Sequence, residues 1–411
     1  MPIRGSLSKL SDASLHRHRP MRSRAGSRLL LGHYDEAAVI RAAEEALADA
    51  GGQVSCGFVF VSPHWLPQIN DILDSIRVHG HVPILGGTVG AGLIGTGTEA
   101  EGRAGLSLLL LNLPETEVRP ALITPEQIEE STGPAYWQME TSISPDEVDA
   151  WIIFANPFAP GLERWLTEWN VAYPKTPSIG GIASGGSDLS EHPLFLDGTA
   201  TSAAAVLAFA VKGKTKIGTI VSQGCKPVGE PLTITRAEEH LVYALGSQPA
   251  YEVLSETFNA LSAEEKQHAK GNLFVGLAAS EYVADLRRGD FLVRNLLGAD
   301  PNTGAIAVGA RPRIGQTLQY QLRDKIAAHS DLTELAETRR TEGPPPFASL
   351  VFSCNGRGRH FFEIPDHDAG TLAQIFGPMP STGFFCNGEI GPVGNASYLH
   401  GYTASVALFC E

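Results

Sequence analysis

After Tyr34 the apolar positions recur at helical spacing. Val39, Ala42, Ala43, Ala46 and Leu47 share one face, Asp35 stands where a cap belongs, and Gly51-Gly52 closes the stretch. The period then changes. Phe58-Val-Phe-Val61 is a short apolar run of strand-forming residues stopped by Ser62-Pro63, which predicts a buried strand. A helical stripe follows (Ile69, Ile72, Leu73, Ile76). Pro83-Ile-Leu-Gly-Gly87 then leads into a glycine-rich loop ending at Gly92, and Leu106–Leu111 predicts a closing strand.

The same series returns 94 residues later. Ile152-Ile-Phe-Ala-Asn-Pro157 matches Phe58–Pro63, and a helix candidate carries Leu162, Trp165, Leu166 and Trp169. Pro177-Ser-Ile-Gly-Gly181 matches Pro83–Gly87, and Ala203–Phe209 closes the unit. Five proline and glycine matches in one ungapped register predict an internal β-α-loop-β duplication, over about 56–113 and 150–210. A looser third copy ends the chain: Ser349–Ser353 as strand, Thr371–Phe376 as helix, Pro380–Gly383 as the turn and Thr403–Phe409 as strand. Between them, Thr215 to about Thr333 mixes short strands with helices.

The expected fold is therefore α/β with a mixed (α+β) character: two lobes of mixed β-sheet flanked by helices, divided near residue 225. The domains are a basic leader over 1–28, an N-terminal domain over 29–225 and a C-terminal domain over 226–411.

Charge sharpens this picture. The chain carries a net charge of −14, yet residues 1–28 hold seven basic side chains against one acid. The acidic body argues against nucleic-acid binding, which needs a basic face. The leader reads as a solvated tail, a targeting peptide, a surface-binding arm or a start placed too early. No apolar run is long enough to span a membrane. The five cysteines (Cys56, Cys225, Cys354, Cys386, Cys410) lack zinc-ligand spacing and read as free thiols, so the expected setting is cytoplasmic, without a metal or other cofactor.

Three segments carry candidate chemistry. Ser353-Cys-Asn-Gly-Arg-Gly-Arg359 follows a strand. Its glycines fit an anion-holding nest at Asn355, Gly356, Arg357 and Gly358, with Arg357 adding a fork for a carboxylate; they equally fit a tight turn whose arginine pairs with a local acid. In Gly383–Pro392, Gly388 and Glu389 sit in an apolar setting, where Glu389 would accept an amine, pair with Arg357 or mark a surface turn. The pairs Gly86-Gly87 and Gly180-Gly181 allow close approach of a ligand or another backbone. Neither is a P-loop or a dinucleotide fingerprint. Cys354, near two arginines that would favour its thiolate, can be written into a Cys354–His360–Glu363 set. That reading makes the protein a thiol-dependent enzyme, whereas the packing reading makes the cysteine a small core residue. A third possibility is an interaction scaffold that docks partners on the proline-rich Thr341–Pro346 stretch or the basic leader.

The chain also resembles the FIST family, N- and C-terminal domains together, over about residues 30–411. The N-terminal resemblance rests on Leu85–Gly92, Ile179–Gly186, Val221-Ser-Gln-Gly-Cys-Lys-Pro-Val-Gly229 and Ile234–Arg236. The C-terminal one rests on Gly246–Ala250, Gln321-Leu-Arg-Asp324, Phe352–Gly358 and Gly383–Pro392. The resemblance implies a sensory module of signal transduction that binds a small ligand, with amino acids proposed. The absence of a known catalytic cysteine signature around Cys354 makes a non-enzyme the expectation. The F-box, kinase or cyclase outputs to which such modules are joined elsewhere have no signature here, so a protein partner would carry the signal. Arg357 would then hold the anionic group of an amino acid or small carboxylate, and Glu389 its cationic group.

Overall fold

The structure, a computed structural model, describes residues 22–283 and 285–411. The first unit runs β1 (Arg24–Leu31), α1 (Glu36–Asp49), β2 (Cys56–Val61), α2 (Ile69–His79), β3 (Leu85–Val89), the hairpin β4 (Gly92–Gly95) and β5 (Thr98–Glu101), and β6 (Gly105–Asn112). The second repeats this order: β7 (Thr116–Ile123), α3 (Pro125–Glu130), α4 (Pro134–Thr141), β8 (Ala150–Ala155), α5 (Leu162–Ala172), β9 (Ser178–Ile182), the hairpin β10 (Leu194–Leu196) and β11 (Thr199–Thr201), and β12 (Val206–Gly213).

A third unit opens with β13 (Lys216–Gln223), but the chain then leaves it. It builds an inserted domain from β14 (Cys225–Glu238), β15 (Leu241–Leu245), β16 (Gln248–Pro249), α6 (Ala250–Ala260), α7 (Ala263–Ala269), β17 (Leu273–Ala278), β18 (Phe291–Asp300), β19 (Ala305–Val308) and β20 (Thr317–Arg323). The third unit resumes with α8 (Lys325–Glu342), β21 (Pro346–Cys354), α9 (Arg359–Phe362), α10 (His367–Phe376), β22 (Ser381–Cys386), the hairpin β23 (Glu389–Val393) and β24 (Ala396–His400), and β25 (Thr403–Cys410).

In each unit two strands run parallel (β2 with β3, β8 with β9, β21 with β22), and the last strand lies antiparallel to the first of them. The third copy is thus as regular as the other two. Each hairpin leaves its own sheet and extends another: β4 pairs with β22, β10 with β3 and β23 with β9. The three six-stranded sheets therefore share one strand order, linked in a cycle.

Alternation along the strands explains the layers. In β2, Cys56, Phe58 and Phe60 face a central core while Val59 and Val61 face α1 and α2; in β8, Ile152 and Phe154 face the centre while Trp151 and Ile153 face α4 and α5. Phe60 meets Phe154 at 5.3 Å and Phe384 at 4.7 Å, and Phe154 meets Phe352 at 6.0 Å, so all three units supply rings to one aromatic centre. The inserted domain has a core of its own around Val275, Ile306 and Tyr320.

Three expectations change. The border near 225 is where the insertion departs; the chain returns at Asp324, so 226–411 is divided between two bodies. The leader stops short of Arg28, because β1 pairs along its whole length with β6 and Arg28 is held by Glu45 and Asp49, each at 2.8 Å. Residues 1–21 of that leader lie outside the described residues. The ungapped 94-residue register also slips by one at the second strand: Val59 opposes Gly87, whereas Ile153 opposes Gly180.

Candidate functional site at the hinge

Parallel pairing of β21 with β22 sets Cys354 beside Cys386, so the loops after them open at the same carboxyl edge. The side-chain amide of Asn355 donates to Asn387 Oδ1 at 3.0 Å across this edge. The expected anion nest is not open. The Asn355 N–H donates to Cys386 O, that of Arg357 to Cys354 O and that of Arg359 to Glu101 Oε1, at 2.7–2.9 Å. Gly358, at φ +78°, instead turns the chain into α9.

Arg357 is buried, and its fork is already taken. Nε and Nη2 donate to the two carboxylate oxygens of Asp368 at 2.7 and 2.8 Å. Asp368 also accepts from Ser353 Oγ and His367 Nδ1, and the adjacent guanidinium keeps its carboxyl ionised well below the usual range, against the opposing effect of burial. The local-acid alternative therefore describes Arg357, and the acid lies in α10. Glu99, from the exchanged hairpin, accepts the first N–H groups of α10 (Asp368 at 2.8 Å, Ala369 at 3.0 Å). Burial, reinforced by Asp368, pushes Glu99 up to about 8.

Glu389 is neither a loop residue nor an open amine acceptor. It begins β23, is fully buried opposite Gly181, and accepts from the Thr403 N–H at 3.2 Å. Burial raises its carboxyl well above the ordinary range. Glu389 Oε1 and Arg357 Nη1 have no hydrogen-bond partner among the described residues.

The glycine pairs are packing positions. A β-carbon on Gly86 would lie 2.0 Å from Phe209, and one on Gly87 or Gly180 1.7 Å from the carbonyl oxygen of Val59 or Ile153. Gly181 meets Cys386, and Gly388 lies against Ile182. Close approach of backbone and core, rather than of ligand, accounts for all five.

Cys354 is buried too, and desolvation pushes its thiol up to about 12, outweighing the arginines expected to lower it. No hydrogen bond joins it to His360 among the described residues, and Glu363 pairs instead with Lys325. The Cys354–His360–Glu363 set is not assembled.

What the loop does build is one wall of the hinge. The inserted domain joins the body through two adjacent crossings: the Asp324 N–H donates to Gly224 O and the Gly224 N–H to Tyr402 O. Beside them, the Arg323 guanidinium lies between the rings of Phe361 and Tyr402, at 4.1 and 4.9 Å, and donates to Gly356 O. A cavity of about 630 Å3 opens here, bounded by Lys226 and Glu265 of the inserted domain, Arg323 and Lys325 of the hinge, His360 of α9 and Glu363 just after it. Lys226 reaches Glu265 at 2.9 Å and Asp324 at 3.7 Å, and holds the Glu265 carboxyl down to about 2. Both charge signs line the space.

Residue-by-residue chemistry missed this cavity, although two quoted segments converge on it. Val221–Gly229 and Gln321–Asp324 pair as β14 and β20, with Cys225 opposite Arg323 and Lys226 opposite Leu322. Among the described residues no helix is long and apolar enough to cross a membrane.

Comparison with known proteins divides the chain at a different point, inside the inserted domain. The FIST N domain matches residues 55–248 and the FIST C domain residues 250–392. An uncharacterized protein of Mycobacterium tuberculosis (strain CDC 1551 / Oshkosh) is 34% identical over 388 residues, covering 91% of this chain and 97% of that one. Another, from Mycobacterium bovis (strain ATCC BAA-935 / AF2122/97), is 36% identical over 264 residues, covering 64% and 68%. A crystal structure of cyanuric acid hydrolase from A. caulinodans overlaps 95% of this chain and 100% of its own at a TM-score of 0.32 and 9% identity.

Proposed function

The chain belongs to the FIST family, whose domains are associated with signal transduction and small-ligand sensing, and from that premise we propose that it senses a small zwitterion such as an amino acid in the hinge cavity. One observation carries the reading: a space of about 630 Å3 lies against both crossings between body and inserted domain, with cationic and anionic side chains on its walls. The volume falls within the usual range for small-ligand pockets. A zwitterion can satisfy both charge signs at once. A ligand touching both bodies favours one hinge angle over another by its difference in affinity, and the change in angle is what a protein partner would read. In this reading the Arg357–Asp368 pair is a buttress that holds the α9 wall. The buried, protonated thiol of Cys354 weighs against the thiol-enzyme alternative.

Thermal denaturation with a panel of amino acids and small carboxylates tests this. At about 100 times its dissociation constant, a ligand of the folded state adds roughly 2.7 kcal/mol, a rise of a few degrees. Wild type should respond to a zwitterion, and Lys226→Met should not. Silence across the panel, or an equal response from the variant, would overturn the proposal.

A further inference from the structure

A second cleft, of about 480 Å3, separates the inserted domain from α5 and β24. Leu166 on α5, Leu277 and Leu292 on the inserted sheet and Leu399 on the exchanged hairpin give its walls an aliphatic stretch, and polar side chains make up the rest. Of the charged ones, Glu163, Arg311 and Arg313 are exposed, and Arg294 alone is held mostly out of solvent. Its side chain is only 14% exposed, and Nη1 donates to the carbonyl oxygens of Val293 and Leu399 at 3.0 and 3.1 Å. The other edge of the guanidinium, Nε with Nη2, makes no hydrogen bond among the described residues. Its nearest carboxylate, Glu163, stays 3.9 Å from Nη2 and is itself 68% exposed. Burial draws this guanidinium below its ordinary pKa, with only Glu163 opposing the effect. A buried cation this short of counter-charge is costly to keep unless an anion completes it. The Nε–Nη2 edge is the one that takes a planar carboxylate side-on through two parallel hydrogen bonds.

We propose that this cleft binds a monocarboxylate with an apolar tail, the carboxylate taken by the free edge of Arg294 and the tail laid along the four leucines. Inorganic phosphate, which the exposed Arg311 and Arg313 of the lining would also attract, leaves the leucines uncovered. The site is separate from the hinge cavity, and neither proposal depends on the other.

Calorimetric titration with octanoate tests it, with 1-octanol as tail without charge and inorganic phosphate as charge without tail. Octanoate should bind the wild type, and the other two should give no heat at the same concentration. Arg294→Gln should weaken octanoate by roughly 10–100-fold, the range for a charged hydrogen bond. Because Arg294 also ties β18 to Leu399, Thr167→Trp supplies an independent test. Thr167 lies on the exposed side of α5 and lines the cleft, so the indole fills the space without touching the core. This variant should lose octanoate while keeping the wild-type unfolding transition. The proposal is overturned if octanoate does not bind the wild type, if octanol or phosphate binds as tightly, or if either variant binds octanoate as the wild type does.

Discussion

Arg357 shows how far a single side chain can be read before its neighbours are known. Its sequence setting between glycines suits a ligand fork and a buried tie equally, and the choice depends on Asp368, which folding brings across from α10. The same held for Cys354, where nearby arginines were legible and the desolvation that overrides them was not. Removing Arg357 leaves Asp368 buried without its main partner, so Arg357→Met should cost about 3–5 kcal/mol in urea denaturation. A loss of ligand binding with unchanged stability would reverse that assignment. Glu99 makes a separate prediction through pH. Its carboxyl titrates near 8 in the folded protein against an ordinary 4.5, so the folded state keeps a proton that the unfolded chain has released. The stability it contributes is present below about 4.5 and is lost as pH rises through 8. Denaturation at pH 5, 6.5 and 8 should therefore show Glu99→Gln gaining on the wild type at each step. A constant difference would mean that Glu99 does not titrate in this window.

At the scale of elements, much was legible, because burial on both faces leaves a plain signature in short apolar runs. Phe58–Val61, Ile152–Ala155 and the last strand all stand where their patterns put them. Register was less legible. Both glycine pairs look alike in sequence, yet the second glycine opposes Val59 in unit one and the first opposes the corresponding Ile153 in unit two, a one-residue slip that only strand pairing reveals. The equivalent position in unit three is Gly383, where a β-carbon would stand 1.8 Å from Val351 O. Gly383→Ala should cost about 3 kcal/mol or more, since backbone rather than a flexible side chain must move. Gly401, with open space around it, is the control: Gly401→Ala should stay within about 0.5 kcal/mol. Equal effects of the two on the urea midpoint would refute the packing role.

For the whole molecule, the sequence pattern suggested two consecutive lobes, whereas the chain forms a three-unit body interrupted by an insertion. Local periodicity carries no record of which sheet a hairpin joins, so the pairings of β4–β5, β10–β11 and β23–β24 leave no trace in it. Their exchange bears on how the protein is made. On a ribosome the first unit emerges with its hairpin strand β4 awaiting β22, and the second with β9 lacking the partner that β23 will supply. No sheet of the body but the first can be completed until β23, β24 and β25 have been synthesised, and long-range pairings of this kind form slowly. A chain stopped after Gly388 should therefore emerge without the body's cooperative unfolding transition, although fewer than 25 of its 411 residues are missing and the inserted domain is complete. Assembly of the body waits on its third unit, and until that unit emerges the unfinished edges of the earlier ones stay open to wrong pairing.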